Sequence, residues 1–148
     1  MLFRSIKLTK ECRFKNSFIF KYSERPGTRG AKLYPDDVPL DVKRDRNNEL
    51  LAIQSAISEE DNQQFLGQRV DVLIEGPSKL TVRKGRQDEP LQQLTGRTHC
   101  DRIVVFDGNV RQIGQTLPVA IYDATAHTLF GAVVTEEVGP TVYSLQLT

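Results

Sequence analysis

The chain has 148 residues, 39% of them hydrophobic and 26% charged, with a formal net charge of +1. These values are ordinary for a soluble globular chain of one domain or two small ones, so whole-chain electrostatics point to no partner. No apolar stretch approaches the roughly eighteen residues that a membrane span needs, and MLFRSIKLTKECRFK lacks the apolar core and cleavage site of a secretory signal. Cys12 and Cys100 have no patterned neighbours. That argues for reduced thiols and a cytoplasmic location rather than a disulfide framework.

In chain order, KNSFIFKY (Lys15–Tyr22) is a compact β-prone run broken by SERPGTRG, which predicts a strand and then a loop. LYPDDVPLDVKRDRNNELLAIQSAISEEDNQQF then predicts a helix of about five turns. Asp36 or Asp37 is its expected cap and Pro39 sits in its first turn. Val42, Leu50, Ile53 and Ile57 recur near helical spacing, with Lys43, Arg44, Asp45 and Arg46 expected on solvated faces. After Asn62 the period changes to two. QRVDVLIEG, LQQLTGRT, RIVVFDG, TLPVAIYDATAHTLF and GAVV are five strand candidates, separated by Gly and Asp-Gly turns. Five short strands at close spacing predict a small closed barrel of the oligonucleotide-binding type, and hence an α+β chain. The expected division is 1–61, 62–135 and a tail, 136–148, that is either a loosely attached last strand or a frayed end.

Catalytic groups are sparse. The chain holds two His, His99 and His127, two Cys and no CxxC pair. No catalytic, cofactor-binding or metal site is expected from these residues. The carboxylates at helix ends and in the tail read as capping and solvation, and no phosphate-loop or dinucleotide fingerprint occurs.

The barrel half offers charge instead. GPSKLTVRKGRQDEP carries Lys79, Arg83, Lys84 and Arg86 on what reads as a mobile loop. From Lys79 to Arg111 seven basic side chains face four acidic ones, a local excess of three. A phosphate backbone responds to such a patch through electrostatics and counterion release. In LTGRTHCDR, Gly96 is expected to let the backbone turn, Arg97 to fork onto phosphate or guanine, and Thr98 to add a hydroxyl contact. His99 and Arg102 complete the expected RNA-binding set. Phe106, Tyr122 and Phe130 are the candidate stacking aromatics, each read first as core.

KNSFIFKYSERPGT, YPDDVPLDVKRDRNNELLAIQ and GQRVDVLIEGPSK…LTGRTHCDRIVVFDG together resemble the C-terminal part of the tRNA methylthiotransferases. The similarity is greatest to the branch that modifies isopentenyladenosine beside the anticodon, and it runs collinearly from about Leu8 to Val134. The resemblance implies that FIFKY is the last strand of a radical S-adenosylmethionine barrel and that 41–61 is its exit helix. It implies that Gln64 to about Val134 is a TRAM domain, a small RNA-binding barrel, with the family's Gly-Arg-Thr corner on Gly96, Arg97 and Thr98. The partner it implies is tRNA. The family's 4Fe–4S clusters and S-adenosylmethionine require a CxxxCxxC triplet and three further cysteines, none of which this sequence has. The chain is therefore expected to carry no cofactor and to be inactive alone. Two other readings stay open: one part of a split methylthiotransferase whose cofactors ride on a separate chain, or a stand-alone RNA-binding or interaction module.

Overall fold

The computed structural model describes residues 2–135; the tail 136–148 lies outside the described residues. Two units divide the chain. One runs to Leu66 and takes in Asp123–Leu129; the other comprises Gly67–Tyr122 and the chain from Phe130.

The first unit is built on helices α1 (Leu2–Cys12), α2 (Arg29–Leu33) and α3 (Leu40–Gln63). With 24 residues, α3 is longer than the five turns expected. Its N-cap is Pro39, without a side-chain cap; proline lacks the N–H that a helix start would leave unsatisfied anyway. Asp36 instead pairs with the Lys43 ammonium, which also donates to the Tyr22 carbonyl at 3.2 Å. Lys43 is thereby half-buried rather than solvated. Ile57 is buried, while Val42, Leu50 and Ile53 are half-buried. Much of the buried face of α3 is polar, through Gln54, Ser58 and Asn62.

The strand expected over Lys15–Tyr22 does not form, and the polar face of α3 holds the start of that segment instead. Gln54 Nε2 donates to the Phe14 carbonyl at 2.5 Å and Ser58 Oγ to the Lys15 carbonyl at 2.9 Å, while Ser17 Oγ donates to Gln54 Oε1. Carbonyls that a neighbouring strand would take are satisfied by helix side chains. The segment runs as coil, with Phe18 86% and Phe20 83% exposed. Helix α1 was not anticipated at all. Arg13, just past its end, pairs with Glu60 and Asp61 of α3.

The strands are β1 (Arg69–Pro77), β2 (Leu91–Thr98), β3 (Ile103–Asn109), β4 (Thr116–Ala124) and β5 (Leu129–Val133), all but the end of β4 and the first residue of β5 in the second unit, and they form a barrel closed in the order β1-β2-β3-β5-β4. The expected five-stranded barrel is present. One expected strand, TLPVAIYDATAHTLF, splits in two. Thr125 and Thr128 close a turn (Thr125 N–H to Thr128 carbonyl, 2.8 Å), and Leu129 and Phe130 join GAVV in β5. Alternate residues point inward, and Val72, Ile74, Leu94, Val104, Phe106, Val119 and Leu129 are at most 2% exposed. Side chains fill a barrel this small, so ligands bind on its outside. Where β1 meets β2 the register slips between Ile74 and Gly76, leaving Glu75 as the extra residue of a bulge.

Candidate nucleic-acid interface

The expected mobile loop is partly ordered. Lys79–Arg83 fold into a short helix, α4, whose N-cap Ser78 accepts from the Thr81 N–H at 3.2 Å. The turn is fixed to β2 through one residue. Ser78 N–H and the Thr81 hydroxyl both donate to the Gln93 carbonyl, at 2.9 and 2.8 Å, and Ser78 Oγ donates to Gln93 Oε1 at 2.7 Å. Lys79, Arg83, Lys84 and Arg86 are all exposed within eight residues. Arg86 shares a loose ion pair with Glu89 at 3.7 Å.

The corner LTGRTHCDR divides between fold and surface. Gly96 is buried in the middle of β2, and the expectation that it serves a turn is corrected. A side chain there would meet Val72 Cγ1 at 2.5 Å and the Leu73 carbonyl oxygen closer still. Close strand packing at the bulge is what demands glycine. Thr98, expected to touch RNA, is 5% exposed. Its Oγ1 accepts from the Arg102 N–H at 3.1 Å and lies 3.2 Å from Cys100 Sγ, closing the β2–β3 turn in which Asp101 has φ 59°. Such a left-handed turn position suits Asp. Arg97 and His99 are exposed, and Arg102 is half-buried with Nη1 3.2 Å from Cys100 Sγ. Burial pushes the Cys100 thiol up, but the Thr98 hydroxyl and the Arg102 guanidinium outweigh it, and the net direction is down.

Arg97 is not bare. Its Nε lies 3.1 Å from Glu75 Oε1 and its Nη1 pairs with Asp101. The hydrogen bond to Asp101 holds the guanidinium above its already high range. All three side chains are exposed, so the pairs are weak, exchangeable contacts that a polyanion can displace. Glu75 lies two residues beyond Leu73, the strand partner of Arg97, and no sequence signal announced that pairing.

Strand parity places the two basic groups together. Gln93 and Arg97 lie four residues apart on the outward face of β2, and α4 packs on Gln93. At about 3.4 Å per residue the corner and α4 sit roughly 13 Å apart along one strand face. Of the candidate aromatics, Phe106 is core as expected and Phe130 is half-buried. Tyr122, by contrast, is 67% exposed on β4. Among the described residues no three His, Cys, Asp or Glu side chains gather to hold a metal ion, and no helix is long and apolar enough to cross a membrane.

Residues 63–134 match the family model described as the TRAM domain. This barrel is a TRAM domain. Over 135 residues the chain is 58% identical to the tRNA-2-methylthio-N(6)-dimethylallyladenosine synthase of Rhodopirellula baltica, covering 91% of this chain and 28% of that protein. The proteins of the same name from Porphyromonas gingivalis and Bacteroides thetaiotaomicron are 43% and 42% identical over 88% and 86% of this chain. The chain spans only about a quarter of the length of these relatives (26% of each of the latter two) and matches their C-terminal part. The TRAM domain and the helical segment before it are thus the shared portion.

Proposed function

We propose that the TRAM domain grips tRNA through the outward face of β2, and that the chain is the RNA-binding C-terminal portion of a methylthiotransferase acting on isopentenyladenosine beside the anticodon. The observation that carries this reading is the alignment of Lys79, Arg83, Lys84 and Arg86 with Arg97 along that one face. The names of the relatives support the tRNA partner, and a cytoplasmic location goes with that reading. The 4Fe–4S clusters that the resemblance implies do not fit this chain. Cluster ligation needs several convergent cysteine thiolates, whereas Cys12 and Cys100 are the only two cysteines and belong to different units. On this reading the chain's own residues hold no such cluster, and the chain by itself has no turnover.

Fluorescence anisotropy with tRNA over a salt series tests the reading. Four phosphate contacts predict roughly a 50- to 150-fold loss of affinity between about 50 and 200 mM salt. Lys79→Ala or Lys84→Ala should each flatten the log–log slope by about 0.7–0.9. No tRNA binding at the low-salt end, or a slope untouched by both variants, would refute it.

A further inference from the structure

Beside α4, against the outer face of β2 and β3, lies a cavity of about 460 Å³, within the size range of small-ligand sites. Its walls are unlike the rest of the basic face. Leu80 and Leu91 present apolar surface, 39% and 69% exposed. Lys84 and Arg86 line it as well. Gln93 and Asp107 are directly paired across the β2–β3 ladder, which sets their side chains about 5 Å apart on one face. Gln93 has its Oε1 engaged by Ser78 Oγ, which fixes the amide and leaves Nε2 as a donor with no partner among the described residues. Asp107 is exposed, and its carboxylate has no hydrogen bond or ion pair among the described residues.

A bare carboxylate in a phosphate-gripping face is counterproductive for phosphate, which it repels. It is useful only against a group that brings hydrogens. We propose that this cavity is a single-nucleotide subsite that reads guanine in single-stranded RNA, a proposal that rests on the RNA-binding reading of the same face. A base lies between Leu80 and Leu91, and its phosphate meets Lys84 and Arg86. Its Watson–Crick edge meets the Gln93–Asp107 pair: Nε2 donates to O6, and the two carboxylate oxygens accept from N1–H and the N2 amino group. Splayed single-stranded bases are recognised on this edge in sequence-specific RNA binding. Uracil matches the first two contacts but sets its O2 against the second carboxylate oxygen, so the exocyclic amino group is the deciding feature. Hypoxanthine, which lacks that group, leaves the oxygen unpaired.

The test uses the full chain and five-nucleotide RNAs of uridine carrying one central guanosine, inosine or uridine, read by anisotropy at low salt, with tRNA as reference. The guanosine oligonucleotide should bind about tenfold tighter than the other two. Asp107→Asn should bring the three within about twofold of one another while binding of the all-uridine strand holds or improves, because a negative charge has gone. Leu91→Ser should weaken all three several-fold with an unchanged melting temperature. If tRNA binds but the wild type shows no guanosine preference, or Asp107→Asn keeps it, the subsite is wrong and the interface stands. If no RNA binds, tRNA included, both fall together.

Discussion

Replacing Gly96 with Ala probes the tightest contact in the barrel. The added methyl would lie 2.5 Å from Val72 Cγ1 and nearer still to the Leu73 carbonyl oxygen, a backbone atom that no rotamer change removes. Ordinary carbon–carbon contact is about 3.5–4.0 Å, so β1 must retreat by about 1 Å where it carries the Glu75 bulge. Overpacking of this kind costs roughly 1–3 kcal/mol. The lower backbone entropy of alanine in the unfolded chain returns about 0.5–1 kcal/mol. A net loss of about 1–2 kcal/mol remains, and at roughly 4–8 °C per kcal/mol for a domain of this size Tm should fall by about 4–16 °C. Thermal unfolding followed by circular dichroism reads this directly. The same substitution at Gly30, which is helical with nothing nearer than Thr28 Oγ1 at 3.7 Å, is the control and should not lower Tm. A Gly96→Ala protein that melts at or above the wild-type temperature would show that close packing is not why glycine stands there.

Arg97→Ala should leave Tm essentially unchanged, because Glu75 and Asp101 remain exposed once the guanidinium is gone, yet weaken tRNA binding about tenfold or more; Arg97→Lys should restore little, since the fork is lost. A fall in Tm with unaltered affinity of the folded protein would assign Arg97 to the fold alone. Alkylation of Cys100 by iodoacetamide should rise at a lower pH in the wild type than in Arg102→Ala. The guanidinium favours the thiolate, so its removal moves the profile to higher pH; coincident profiles would contradict this. Gln54→Ala strips the Phe14 carbonyl and the Ser17 hydroxyl of a buried partner, at a cost of about 1–3 kcal/mol. Limited proteolysis of that variant should cut within residues 14–22 well before it cuts the barrel, and protection equal to the wild type would argue against the network.

The barrel was legible in the chain because a half-buried strand repeats every two residues. Val70, Val72 and Ile74, or Leu94 with Val104 and Phe106 opposite, declare their inward face without reference to any partner. The long helix was legible for the same local reason, although its start was not: Pro39 caps it while Asp36 pairs with Lys43, whose ammonium also holds the distant Tyr22 carbonyl. Charge composition revealed Lys79 to Arg86 but not that a helix pinned on Gln93 orders half of it. KNSFIFKY has every local preference of a strand and is none here, because a strand exists only if another strand supplies its hydrogen bonds, and what holds the start of this segment is side chains of α3 on the Phe14 and Lys15 carbonyls. Gly96, Thr98 and Arg97 are adjacent in sequence, yet one fits a crowded ladder, one closes a turn and one faces outward across from a bulge. Gln93 and Asp107 carry no signal at all as separate letters. Only the antiparallel register, which pairs residues fourteen positions apart in the chain, sets an amide donor beside an unpaired carboxylate.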